Sequence, residues 1–153
     1  MAGFAAKIAE LGLILPPAPA PSANYLPYVF SGQHLYISGQ VSQTAAGVIT
    51  GRLGADMDLA AGIVAAQASA LAILAQLHAA LAGDLDRVQR LVKLTGFVTS
   101  TPEFTQIPQV INGASDLMVA VFGQRGRHAR TAVAAPILPR GAAVEIDAIF
   151  EVS

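Results

Sequence analysis

The chain has 153 residues, enough for one domain with one sizeable core. Hydrophobic residues make up 54% and charged residues only 12%, about half the usual charged share, so extra surface has to be buried, most simply between identical subunits. A net charge of −1 argues against a nucleic-acid binder with a broadly basic surface, and the absence of cysteine excludes disulfides, thiolate nucleophiles and thiolate metal sites.

Gly3–Leu11 reads as a short helix, with Lys7 and Glu10 interrupting any apolar signal-peptide core, so the cytoplasm is the expected compartment. Pro16–Pro21 is an extended Pro/Ala linker. Tyr25–Ser31 and Leu35–Ser38 are predicted strands, joined by a tight turn at Gly32 and Gln33. Gly47–Thr50 is a predicted third strand.

Asp58 is placed to cap a long helix from Leu59 to Ala82, ended by Gly83. That stretch is long enough to span a membrane. Its polar residues Gln67, Ser69, Gln76 and His78 and its two stripes argue instead for a soluble helix. Leu59, Ile63, Leu71, Leu74, Leu77 and Leu81 form the stripe expected on a core. The opposite stripe of alanines, from Ala61 to Ala79, is expected to face solvent or a neighbour.

Arg87–Thr99 reads as a strand broken by Pro102. Ile107–Phe122 reads as a second helix, with Pro108 in its first turn and Gly123 as its stop. Thr131–Ala135 and Ala143–Val152 are the last strands. In the final one Val144, Ile146, Ala148, Phe150 and Val152 alternate with Glu145, Asp147, Ile149 and Glu151, so one face is core and the other acidic. The order predicts an α+β fold, a mixed sheet with two helices on one face, plus the short N-terminal helix.

No phosphate-binding glycine loop, nucleophile elbow or metal-ligand spacing is present, and His34 and His78 read as structural or solvated. Arg125, Arg127, His128 and Arg130 form a basic cluster whose functional reading is an anion site. Arg125 and Arg127 follow a helix C-terminus, where cations complement the dipole. Arg130 differs because it enters a strand. A hairpin across Pro136–Arg140 would set it near Glu145 or Asp147. A cross-strand ion pair explains Arg130 at least as well as a ligand site does. As a site, Arg130 would fork onto the carboxylate of a small 2-oxo or 2-imino acid while Glu145 orients or deprotonates a water.

The run from Arg130 to Ile149 resembles the C-terminal signature of the RidA/YjgF family: Arg-Ser, apolar residues, Leu-Pro, a short turn, then Val/Ile-Glu-Ile-Glu-Ala. Pro27-Tyr28 resembles the family's Pro-Tyr, Ile37-Ser38-Gly39-Gln40 its Ser-Gly-Gln turn, and Asn112 the Asn opening its last helix. The likeness runs from about residue 23 to the end. The N-terminal helix and linker (1–22), with Ile111–Leu117 and Gly126–Arg130, resemble a longer, less characterised subgroup. One domain over 1–153 follows.

The resemblance implies a chorismate-mutase-like fold and a homotrimer in which the sheets' open faces pack together, with three sites in clefts between subunits. Arg130 would bind the substrate carboxylate, helped by the backbone N–H groups of Ala132 and Gly39. Glu145 would position the hydrolytic water, Tyr28 and Asn112 would line the pocket, and Ser38 would flank it. No metal, cofactor, membrane or nucleic-acid partner is implied for this reading. The reaction would convert a 2-imino acid to a 2-oxo acid and ammonia. Characterised deaminases often carry Cys where this chain has Ala132. The family also implies two alternatives, a non-catalytic binder of small 2-oxo acids and an endoribonuclease.

Overall fold

The computed structural model describes residues 3–153. Seven strands and three α-helices follow one another as α1 (Phe4–Glu10), β1 (Tyr28–Ser31), β2 (His34–Val41), β3 (Gln43–Thr44), β4 (Gly47–Val48), α2 (Leu59–Ala80), β5 (Val88–Thr99), α3 (Ile107–Phe122), β6 (Ala129–Ala135) and β7 (Val144–Val152). The main sheet is mixed and five-stranded, in the order β1-β2-β7-β5-β6. Only β5 and β6 run parallel, joined across α3 as a parallel pair requires. Helices α2 and α3 cover one face, as the α+β reading expected.

The helix boundaries follow the local chemistry. The Asp58 carboxylate accepts a hydrogen bond from Ala61 N–H at 2.8 Å, capping α2. Gly123 ends α3 with a positive φ of 58°. Gly32 has φ 59° in the two-residue turn that pairs Ser31 with His34.

Three expectations are corrected. The Ala stripe of α2 faces neither solvent nor a neighbour over most of its length: Ala65, Ala68, Ala72 and Ala75 are buried. The N-terminal segment after α1 lies along this helix, and Gln76 Nε2 donates to the Pro19 carbonyl at 2.6 Å. Small side chains let an extended backbone come close. Second, the strand expected at Gly47–Thr50 is only Gly47–Val48 and pairs with β3 in a separate ribbon, while Ile49 and Thr50 bond to Ala142 and Ala143 just before β7.

Third, there is no hairpin between β6 and β7. β5 lies between them, pairing β6 on one edge and β7 on the other. The link from β6 to β7 passes the end of β5, where Thr99 Oγ1 donates to the Ala142 carbonyl at 2.8 Å. With β2 on its other edge, β7 has no edge left for β6.

Candidate active site

The strand order separates the two residues on which a site would turn. Arg130 pairs with Leu94, whose buried side chain faces the helices. Glu145 pairs with Phe97 and alternates with buried Val144 and Ile146, so it points to the open face. The two residues sit on opposite faces, two strands and three positions apart, roughly 14 Å between Cα atoms from strand geometry alone.

Arg130 gathers a neutral cluster. Its Nη1 donates to Asn112 Oδ1 at 2.8 Å and to Ser115 Oγ at 3.2 Å, both on α3. Ser115 Oγ is 2.9 Å from His128 Nε2, and His128 Nδ1 is 2.7 Å from the Gly126 carbonyl oxygen. That carbonyl can only accept, so Nδ1 carries a proton and Nε2 of the neutral ring accepts from Ser115. Burial first, and the Arg130 charge after it, hold His128 below the ordinary imidazole range. The chain of donors therefore runs from Arg130 through Ser115 and His128 to Gly126. No carboxylate pairs with Arg130; among the described residues the one ion pair is Lys7 with Glu10. The cross-strand ion pair fails, because β5 stands between the partners. Ala132 follows on the same face of this edge strand, half-buried opposite Gly96.

Glu145 gathers the second cluster. β2 carries a bulge between Ile37 and Gln40, so neither Ser38 nor Gly39 has a partner on β7. A Cβ on Gly39 would run into the Glu145 carboxylate, so any larger residue there would push that side chain aside. Ser38 Oγ donates to the Leu26 carbonyl at 2.7 Å and its N–H to the Pro27 carbonyl at 2.9 Å, tying the preceding segment to the bulge. Burial, with Asp147 beside it, raises the Glu145 carboxyl above its ordinary range. Burial likewise raises Asp147, opposed by Thr95 and Lys93.

Within the single chain, then, the structure brings Ser38, Gly39 and Glu145 together, and separately Arg130, Asn112 and Ala132. Tyr28 joins neither group. Its ring packs against the core on β1, 6.3 Å from that of Phe30. Tyr25 instead lines the recess beside Glu145. Sequence reasoning missed Tyr25 and Ser115, and it named His128 only as a member of the basic cluster. For Ser115 a signal existed: it follows Asn112 by three residues, on the same helical face. No group of His, Asp and Glu among the described residues is arranged to hold a metal ion.

Known proteins share this fold. The family described as "YjgF/chorismate_mutase-like, putative endoribonuclease" matches residues 5–151. Protein TCP17 of Trypanosoma cruzi is 52% identical over 151 residues, covering 97% of this chain and 94% of that protein. Atu1372 of Agrobacterium tumefaciens, a protein of unknown function, superposes with a TM-score of 0.91 at 48% identity, over 98% of this chain and 92% of that one. A Shewanella oneidensis structure described as a putative endoribonuclease superposes with a TM-score of 0.94 at 30% identity, over 99% of this chain and 100% of that one. With its mixed sheet, its two covering helices and a match from residue 5 to residue 151, the chain belongs to the RidA/YjgF family.

Proposed function

We propose that the protein hydrolyses small 2-imino acids to 2-oxo acids and ammonia, in a cleft shared by two subunits of a homotrimer. The observation that carries this reading is the state of Arg130: a guanidinium fixed by neutral partners, with no carboxylate beside it. Such a group retains its charge for a ligand carboxylate and is already oriented to receive it. Glu145 lies on the opposite sheet face, so the two act on one substrate only when they come from different subunits. The bare apolar side chains of that face support assembly: Val29, Tyr36 and Val133 are 48%, 45% and 41% exposed.

The chemistry asks little more. Arg130 of one subunit holds the substrate carboxylate, and Glu145 of the next holds a water against the imine carbon. The raised carboxyl accepts a proton from that water as it adds to the C=N bond, then returns it to the nitrogen. The hydroxyl proton then passes to the amino nitrogen, and ammonia leaves as the C–N bond breaks and the carbonyl forms. Atoms balance as imino acid plus water giving oxo acid plus ammonia.

The test couples an amino-acid oxidase, which makes imines, to semicarbazide, which traps those left. Added protein should lower the trapped fraction, and Arg130→Ala should reduce kcat/KM about a hundredfold or more. Arg130→Ala and Glu145→Gln are each expected to be inactive alone. Co-assembled in equal amounts, they should recover about a quarter of full activity, since that share of clefts regains one intact Arg and one intact Glu. A mixture as dead as its parents would place both residues in one subunit's site or in none. Unchanged trapping by the wild type, with Arg130-dependent binding of 2-oxo acids, would make the protein a binder instead of an enzyme.

A further inference from the structure

Glu145 stands between two recesses. One opens along the bare sheet face, beside Tyr36, Asp147 and Ile149. The other, of about 290 Å³, is closed by segments from two distant parts of the chain: Pro19, Ser22 and Tyr25 on one side, Pro139 and Arg140 on the other. On the deaminase reading the substrate carboxylate and imine occupy the first recess, where the trimer would bring a neighbouring subunit's Arg130. The second remains for the substrate's side chain.

The N-terminal segment is built to hold this wall in place. Asp86 accepts from Phe4 N–H at 2.9 Å, capping α1, and Phe4 stacks edge-on to Phe122 with ring centroids 4.9 Å apart. Ile8 is buried, and Leu13 and Leu15 pack against the core. Gln76 then fixes Pro19. Farther along, the Ser38 hydroxyl and N–H hold Leu26 and Pro27. Tyr25 is thus carried between two anchored points, with its hydroxyl 3.5 Å from Ser22 Oγ.

Arg140 faces it from a strained turn. Its φ of 60° and ψ of 17° are left-handed, a conformation that costs a non-glycine residue and clusters at functional sites. Nη1 donates to Gln43 Oε1 at 2.9 Å, which orients the fork. Its other N–H donors have no partner among the described residues. The recess that holds this cation is also lined by Ser22, Tyr25 and Gln40, with few large apolar groups, and the Glu145 carboxylate stands where it meets the first recess.

We propose that the N-terminal segment and the Arg140 turn form the side-chain subsite, with Arg140 as its anchor, and that this subsite selects substrates whose side chain ends in a carboxylate or carboxamide over branched aliphatic ones. The proposal rests on the deaminase reading. A branched aliphatic side chain would strip water from Arg140 and return no hydrogen bond, which is the costlier mismatch. An acceptor group four or five atoms from the substrate carboxylate satisfies the guanidinium and the phenol together.

The test measures kcat and KM separately for imines generated from aspartate, glutamine, leucine and valine, each by a suitable oxidase. Wild type should favour the first two by about tenfold or more. Arg140→Met should lower the ratio of aspartate-imine to leucine-imine kcat/KM by tenfold or more, mainly through KM, and Arg140→Lys should restore part of it. Tyr25→Leu should move the ratio the same way. Calorimetry with oxaloacetate and 4-methyl-2-oxopentanoate reads the same preference as binding, whether or not turnover occurs. Equal effects on every substrate, or none, would overturn the subsite. If no imine is turned over yet oxaloacetate binding depends on Arg140, the deaminase reading fails and the subsite stands.

Discussion

At the scale of single residues, the open sheet face carries a cost that the proposed chemistry explains. Burial raises the Glu145 and Asp147 carboxyls, and for Glu145 the charge of Asp147 adds to it. Between their ordinary values near pH 4 and their raised ones, the folded chain binds more protons than the unfolded chain. Their stabilising contribution is therefore complete below the ordinary values and lost as pH rises through the raised ones. At neutral pH the two charges weigh against folding. Glu145→Gln should raise the melting temperature at pH 7.5 by about a degree, since groups half open to water retain only a few tenths of a kcal/mol. The gain should vanish near pH 4 while turnover is lost at every pH. Scanning calorimetry at the two pH values decides this; a gain independent of pH would assign the effect to packing.

At the scale of elements, what the chain made legible was what local chemistry dictates. Asp58 and Gly123 mark helix ends through side-chain and backbone hydrogen bonding, and β7 is marked by its alternation. The Ala stripe of α2 was not legible as a docking groove. Alanine is compatible with solvent, with a helix neighbour or with an extended backbone, and only the arriving segment decides. The strand order was hidden for a related reason: a short link favours a hairpin, yet β5 pairs on both edges and keeps β6 and β7 apart. With that, the clustering of Arg130 near Glu145 within one chain fell, while Arg130 with Asn112 survived.

Glycine contacts set the helix spacing on which the Arg130 cluster depends. A Cβ on Gly113 would sit 2.6 Å from the Ile63 carbonyl oxygen of α2, a backbone atom that cannot swing aside. On Gly62 it would meet Leu53 Cδ1 at 2.8 Å, the end of a flexible side chain. Gly113→Ala should therefore cost about 1–3 kcal/mol, on the order of 5 °C in Tm, and Gly62→Ala less. Gly113 lies between Asn112 and Ser115, so displacing α3 should also lower carboxylate affinity. Denaturation midpoints and 2-oxo-acid binding of the two variants give the comparison. Equal losses would mean that α2 and α3 adjust freely.

At the scale of the whole molecule, sparse charge and an open sheet face describe one requirement. A chain with 12% charged residues leaves Val29, Tyr36 and Val133 bare on a face whose central strand carries Glu145 and Asp147. If the proposed trimer buries that face, its stability and its chemistry share one surface, because each cleft takes Arg130 from one subunit and Glu145 from the next. Val133→Asp places a further carboxylate among the apolar contacts without touching the core behind them: Val133 pairs with Phe97 on the open side, 41% exposed in the single chain. A charge buried without a partner at an interface costs several kcal/mol, enough to weaken association about a hundredfold or more. Light scattering should find the wild type at three times the 15.7 kDa chain mass and the variant dissociating on dilution, with an unchanged circular dichroism spectrum. Turnover should fall in step with the trimer fraction rather than with protein concentration. A variant that stays trimeric and active would move the interface off this face and take the shared cleft with it.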